Sequence, residues 1–261
     1  MKKTTSSIVL IAGLLLAGTS KTAAQAPTTP QKFTDRQPLD GKLLINVNGG
    51  GQTQARTIDN SGSLALFNQT ASWTTSESVP SGGLFDISIG YKIWRDFALA
   101  LGYSQLGVTG ALVGSASIPS PISFSRPPTQ VAINEVAATR KDRNVYLVAM
   151  WFFPVKEKID VAIAIGPSFT RVRQDLVVDS QEFRQNIVSA ANAGTTIPPI
   201  VVNQSGTAKG ILVGLDGQYM FTPMLGAGAF IRYNGGSVDL ADASAVDAGG
   251  FQLGIGGRIR F

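Results

Sequence analysis

The chain has 261 residues, with 22 Lys+Arg against 17 Asp+Glu, no cysteine and no histidine. Without cysteine there is no disulfide, no thiolate chemistry and no lipid-anchoring cysteine; without histidine, imidazole-based hydrolysis is excluded. Residues 1–26 hold three lysines and no acid, so the remainder carries 19 bases against 17 acids, a net +2 that offers no field for nucleic acid.

The first element is a leader. Lys2 and Lys3 precede the apolar run IVLIAGLLLAG, and the small-residue segment TSKTAAQA follows. This order predicts a signal peptide over residues 1–26, cut after Ala24 or Ala26, with an apolar run too short to span a bilayer comfortably. Residues 27–40, PTTPQKFTDRQPLD, read as a Pro-rich periplasmic linker, and residues 41–261 as a barrel domain.

From residue 42 onward, apolar residues recur in steps of two, the period of a strand with one apolar face. The first strand carries Leu43, Ile45 and Val47 on that face, the second Phe85, Ile87, Ile89, Tyr91 and Ile93, and the third Phe97, Leu99, Leu101 and Tyr103. The fourth has Val145, Leu147, Ala149, Trp151 and Phe153, but its other face is also apolar, with Tyr146, Val148, Met150 and Phe152. The fifth has Ile159, Val161, Ile163, Ile165 and Phe169; the sixth Ile211, Val213, Leu215, Tyr219 and Phe221; the seventh Leu225, Ala227, Ala229, Ile231 and Tyr233. The eighth is the terminal FQLGIGGRIRF, with Phe251, Leu253, Ile255, Ile259 and Phe261 on one face and Gly257 as a gap.

The connections alternate. Tight turns are expected at residues 94–96, 154–157 and 222–223. Long loops are expected over 58–82, 106–142, 173–207 and 234–248. This rhythm predicts an all-β, eight-stranded antiparallel up-and-down barrel. The third long loop holds Asp179, Ser180 and Glu182, then Phe183, Ile187 and Ala191 at helical spacing and Gly194 as a stop, so a short amphipathic surface helix is expected there. Four prolines in residues 115–128 exclude a central strand in the second loop.

The apolar face either fills the core of a soluble, ligand-binding barrel or meets lipid. Residue size favours lipid. The apolar face carries bulky side chains, whereas the other is rich in Gly, Ala and Ser, which suit the crowded interior of eight strands. Aromatics form two belts, as at membrane interfaces. Trp94, Phe97, Trp151, Phe153, Tyr219, Phe221 and Phe261 lie near the short turns; Tyr103, Phe169, Tyr233 and Phe251 lie near the long loops. Ten tilted residues cross roughly 23 Å, close to the apolar band of such a barrel. Pairing the eighth strand with the first would remove both edges and satisfy the backbone inside lipid.

The terminal Phe261 with Ile259, Ile255, Leu253 and Phe251 resembles the C-terminal assembly signal of bacterial outer-membrane barrels, departing from it at Gly257. The eight-strand pattern over residues 41–261 resembles the small OmpA/OmpX-like barrels. The resemblance implies insertion by the barrel assembly machinery, long loops outside the cell and short turns in the periplasm. It also implies outer-membrane lipid, lipopolysaccharide included, as surroundings, and a possible extracellular partner at the loops. A monomer without cofactor or metal is expected.

Candidate site residues are the inward charges Asp86, Lys92, Asp160, Asp216, Arg232, Arg258 and Arg260. Asp216 and Arg232 lie across one hairpin, so an ion pair is expected between them. The charges either line a narrow channel or plug the lumen, since buried charges need partners. The inward apolar row of the fourth strand is either a slot for a hydrophobic solute, as in OmpW-like barrels, or packing against the small residues of other strands. Asp239, Asp242 and Asp247 would at most hold a divalent cation weakly. The expected role is non-enzymatic, structural or surface-interacting, with transport as the alternative.

Overall fold

The computed structural model describes residues 43–53, 56–122, 125–240 and 243–261. The expected signal peptide and linker lie outside the described residues. The elements run β1 (Leu43–Gln52), β2 (Arg56–Leu66), β3 (Gln69–Val79), β4 (Gly82–Trp94), β5 (Phe97–Ile118), β6 (Thr129–Lys156), β7 (Ile159–Val177), α1 (Gln181–Ala193), β8 (Val201–Met220), β9 (Leu225–Leu240) and β10 (Ala243–Arg260). Eight strands close into one antiparallel ring in the order β1-β4-β5-β6-β7-β8-β9-β10. The seam is β1 on β10, in register from Leu44 opposite Arg260 to Gln52 opposite Gln252, so the ring has no free edge.

Successive side chains of a strand point to opposite faces. Within the lower part of the ring the bulky apolar residues point out: Leu99, Leu101, Leu147, Ile163, Ile165, Val213, Leu215, Ile231 and Leu253 are all exposed. Their neighbours Ala98, Ala100, Ser104, Ala162, Ser168 and Gln252 are buried. The fold is therefore an apolar-outside, polar-inside barrel, the arrangement that lipid and not water stabilises. No helix among the described residues is long and apolar enough to cross a membrane, which leaves strand crossing unaffected.

Three tight turns join strands at one end. They lie at residues 95–96, 157–158 and 221–224; the second falls later than expected because β6 runs on to Lys156. The opposite end departs from the sequence expectation. The segments expected as long loops are mostly strand. β5 and β6 stay paired as far as Ile118 opposite Thr129, and β7 and β8 as far as Val177 opposite Val201. The first expected loop is the hairpin β2–β3, turning at Phe67 and Asn68 with φ of 52° and 56°. Positive φ at both central residues gives the turn the twist that a hairpin needs. β3 then pairs with β5 over residues 72–78, above the level where β4 leaves it.

The expected helix forms as α1. The Ser180 hydroxyl accepts from the Phe183 backbone N–H, and Gly194 closes the helix at φ 67° in the left-handed region. Phe183, Ile187 and Ala190 are its buried face. They pack with Trp73, Leu112, Ile118, Ile133, Val177 and Ile197 into a core beyond the ring's apolar band. The Trp73 and Phe183 rings meet edge to face at 5.3 Å. The far end is thus a folded cap with a water-soluble type of core.

Candidate functional site

All seven inward charges singled out in the sequence are buried inside the ring. Their partners differ from the expected hairpin pair. Gly214 lies opposite Arg232 and Asp216 opposite Phe230, so Asp216 and Arg232 sit on a diagonal. Arg232 instead reaches across the lumen to Asp86, Nη1 to Oδ2 at 2.8 Å. Asp216 takes Arg258, whose Nη2 donates to Asp216 Oδ2 at 2.6 Å. Arg232 thus takes a carboxylate from another part of the ring and not the one on its own hairpin, a choice that sequence offset does not reveal.

The two pairs form one network. Asn48 Nδ2 donates to Asp86 Oδ1 at 2.8 Å and its carbonyl oxygen accepts from Arg258. The Tyr146 hydroxyl donates to Asp86 Oδ2 at 2.7 Å and accepts from Arg232 Nη1 at 3.1 Å. Arg232 Nε donates to Gln252 Oε1 at 2.8 Å, and its guanidinium lies 4.7 Å from the Phe230 ring centre. Residues from β1, β4, β6, β8, β9 and β10 converge here. Glycines make room: a Cβ at Gly102 would overlap the Tyr146 ring, and one at Gly228 the Arg258 guanidinium.

Polar layers continue on either side. Toward the short turns, Arg260 Nη2 donates to Asp160 Oδ2 at 2.9 Å and Gln218 Oε1 at 2.7 Å, while Lys92 Nζ lies 3.9 Å from Asp96. Toward the cap, Ser168, Asn234, Thr170 and Asn144 form a chain of neutral hydrogen bonds. Beyond them Arg140 binds Asp142, with Nε to Oδ1 at 3.0 Å, and Gln174 links Arg140 to Glu77. Neither Arg140 nor Glu77 stood out in the sequence, because both lie in segments expected as loops. Burial pushes the Glu77 carboxyl above the ordinary carboxylate range, partly opposed by the Gln174 hydrogen bond and by Arg140.

The inward row Tyr146, Val148, Met150 and Phe152 packs against Leu44, Ala98, Ala100, Ala162, Ala164 and Leu212. Large residues on one strand thus fill space left by alanines on others. A cavity of about 40 Å³ remains between Asn48, Asp86, Tyr146, Met150, Leu212 and Arg232. That volume holds a few water molecules at about 10–15 Å³ each and nothing larger.

Most of the aromatics assigned to the two rims point outward. Trp94, Trp151, Phe153, Tyr219, Phe221 and Phe261 are exposed near the short turns, and Phe169, Tyr233 and Phe251 at the other rim. Phe97 meets Trp151 edge to face at 6.3 Å, and Tyr233 meets Phe251 at 5.0 Å. Phe97 and Tyr103 are half-buried. The terminal strand turns Phe251, Leu253, Ile255 and Phe261 outward, with Ile259 half-buried. Gly257 faces open space. Of the three loop aspartates, Asp242 lies outside the described residues.

No protein-family model and no curated protein matches the chain. Among solved structures, Neisserial surface protein A is similar at 16% identity and TM-score 0.47, over 85% of this chain and 100% of that one. The outer membrane protein OprG from Pseudomonas aeruginosa is similar at 11% identity and TM-score 0.43, over 85% and 96%. The N-terminal barrel domain of Pseudomonas aeruginosa OprF is similar at 15% identity and TM-score 0.38, over 85% and 100%. At these values the role of this chain rests on its own geometry.

Proposed function

We propose that the protein is a monomeric, non-enzymatic barrel of a bacterial outer membrane, with a filled structural lumen and a working surface on the cap outside the cell. The observation that carries this reading is the Asp86–Arg232–Tyr146 cluster, which bridges opposite walls and is joined through Asn48 to Asp216 and Arg258. Ions held this way are matched and hydrogen-bonded, so they specify packing and leave little for a passing solute. The apolar exterior supports the location, because only hydrocarbon makes such a surface favourable.

The test is electrical. Purified protein in planar bilayers is expected to give no steady conductance, whereas a stable conductance or solute flux would overturn the reading in favour of a narrow channel. Cell fractionation checks the location. The protein should stay with the outer membrane and shift on gels when heated; recovery as a periplasmic soluble protein would favour a soluble ligand-binding barrel.

A further inference from the structure

The outer face of the barrel changes character abruptly on three neighbouring strands. On β6, exposed Val145 gives way to Arg143 and Lys141; on β7, Phe169 gives way to Arg171 and Arg173; on β8, Ile211 gives way to Lys209. All five cations are exposed. The strand register makes them one patch: Arg143 lies directly opposite Arg171, Lys141 opposite Arg173, and Lys209 opposite Phe169. Strand spacing and rise give the patch about 10 Å across and about 14 Å along the strands.

Two features are unexplained by the fold. Like charges directly opposite on one sheet face destabilise the pairing, and here two such pairs are adjacent. Nor do the flanking strands neutralise them. Arg143 and Lys141 face Gln105 and Gly107 of β5, while Arg171 and Arg173 face Thr207 and Ser205 of β8. The next outward residue of β7, Asp175, is held by the Thr139 N–H at 2.9 Å and by Asn203 Nδ2 at 2.8 Å. Toward β1 and β4 this face is neutral, with Gly51 opposite Gly83, and toward β10 it turns acidic at exposed Asp247, which lies opposite Ser237, itself opposite Lys209. The basic charge belongs to one sector.

We propose that this sector binds the phosphate-bearing headgroup of an outer-leaflet glycolipid, with its acyl chains lying on Val145, Phe169 and Ile211. The assignment rests on the outer-membrane reading above. Height selects a lipid over a soluble anion, because the cations begin where the apolar band ends. Arginine forks suit phosphate, and several cations in one patch match a headgroup with more than one phosphate.

The full-length protein, folded into nanodiscs of neutral phospholipid with added diphosphorylated lipid A, is extracted into mild detergent and its retained lipid read by native mass spectrometry. Retention of lipid A is expected, with a loss of about fivefold in affinity for each cation removed in Lys141→Gln, Arg143→Gln and Arg171→Gln. Dephosphorylated lipid A should be retained no better than neutral phospholipid. Arg143→Lys with Arg171→Lys keeps the charge and should keep most of the binding, which separates charge from damage to the fold. Inorganic phosphate should fail to displace the lipid; full displacement would overturn the acyl-chain contact. Equal retention by parent and charge-removed protein, in discs where both show the heat-sensitive gel shift, overturns the site alone. Failure of the parent to enter any bilayer overturns the membrane reading and this site together.

Discussion

Strand β5 passes through two environments. Over its lower half, Leu99 and Leu101 point out and are exposed, while Ala98, Ala100 and Ser104 point in. Over its upper half the pattern inverts: Leu106, Val108, Leu112, Ala116 and Ile118 are buried, and Gln105 and Thr109 are exposed. β6 and β7 show the outer half of the same change at Arg143 and Arg171. The barrel wall has a polar inside and an apolar outside, whereas the cap built from the same strands has an apolar inside and a polar outside. Side-chain alternation along β5 is unchanged throughout, while β6 shifts by one residue at a bulge opposite Leu112 and Gly114. What differs is the surrounding medium, so each region places its bulky side chains where its own medium stabilises them.

Four measurements would break or sharpen this comparison. The largest effect is expected in the wall. Asp216→Ala leaves the fully buried Arg258 without its carboxylate and should cost about 3–5 kcal/mol, read as a lower urea midpoint for unfolding in lipid. A midpoint unchanged from the parent would mean that water reaches the network.

In the cap, Phe183→Ala removes the ring packed on Trp73 and should cost about 3–5 kcal/mol, confined to the cap. Limited proteolysis should then cut the segments beyond the apolar band while the heat-sensitive gel shift persists. Loss of that shift would show that wall and cap fold as one unit.

The third measurement uses one outward face of one strand. Leu101→Arg should cost about 2–4 kcal/mol near the bilayer midplane. Thr109→Arg, eight residues along on the same outward face, should stay within about 0.5 kcal/mol. Equal effects would remove the distinction between the two media.

The smallest effect concerns Glu77, whose carboxyl is held above its ordinary range by burial. A raised folded-state value means that its contribution is fully present below the unfolded carboxylate value and is lost as pH rises through the folded one. Glu77→Gln keeps an acceptor for Gln174 and should protect the cap more than the parent does at neutral pH, with the difference closing in acid. Hydrogen exchange of the β3 amides against pH reads this; a difference that grew toward acid would contradict the assignment.

Much of the wall was legible along the chain. The period of two in β4, β5, β7 and β10 set which residues face out. The cap was less legible. In β3 the inward row Ala71, Trp73, Thr75, Glu77 and Val79 mixes polar and apolar residues, so alternation gave a weak signal and the hairpin read as a loop. The lone usable clue was the helix, where Ser180 and Gly194 bracket an apolar spacing. The basic sector escaped notice for a further reason. Arg143, Arg171 and Lys209 are scattered singly along the chain, and only the strand register brings them to one place.

By itself, the order of residues determined strand periodicity, the outward greasy face, the capped helix and the strand character of residues 251–261, because these depend on local backbone geometry and on neighbours two to four positions away. Tertiary structure alone decided that Arg232 takes Asp86 and Arg258 takes Asp216, that the long connections fold into a cap, and that five cations converge on one sector. Those outcomes depend on distances across a closed ring, where chain separation and spatial separation are unrelated.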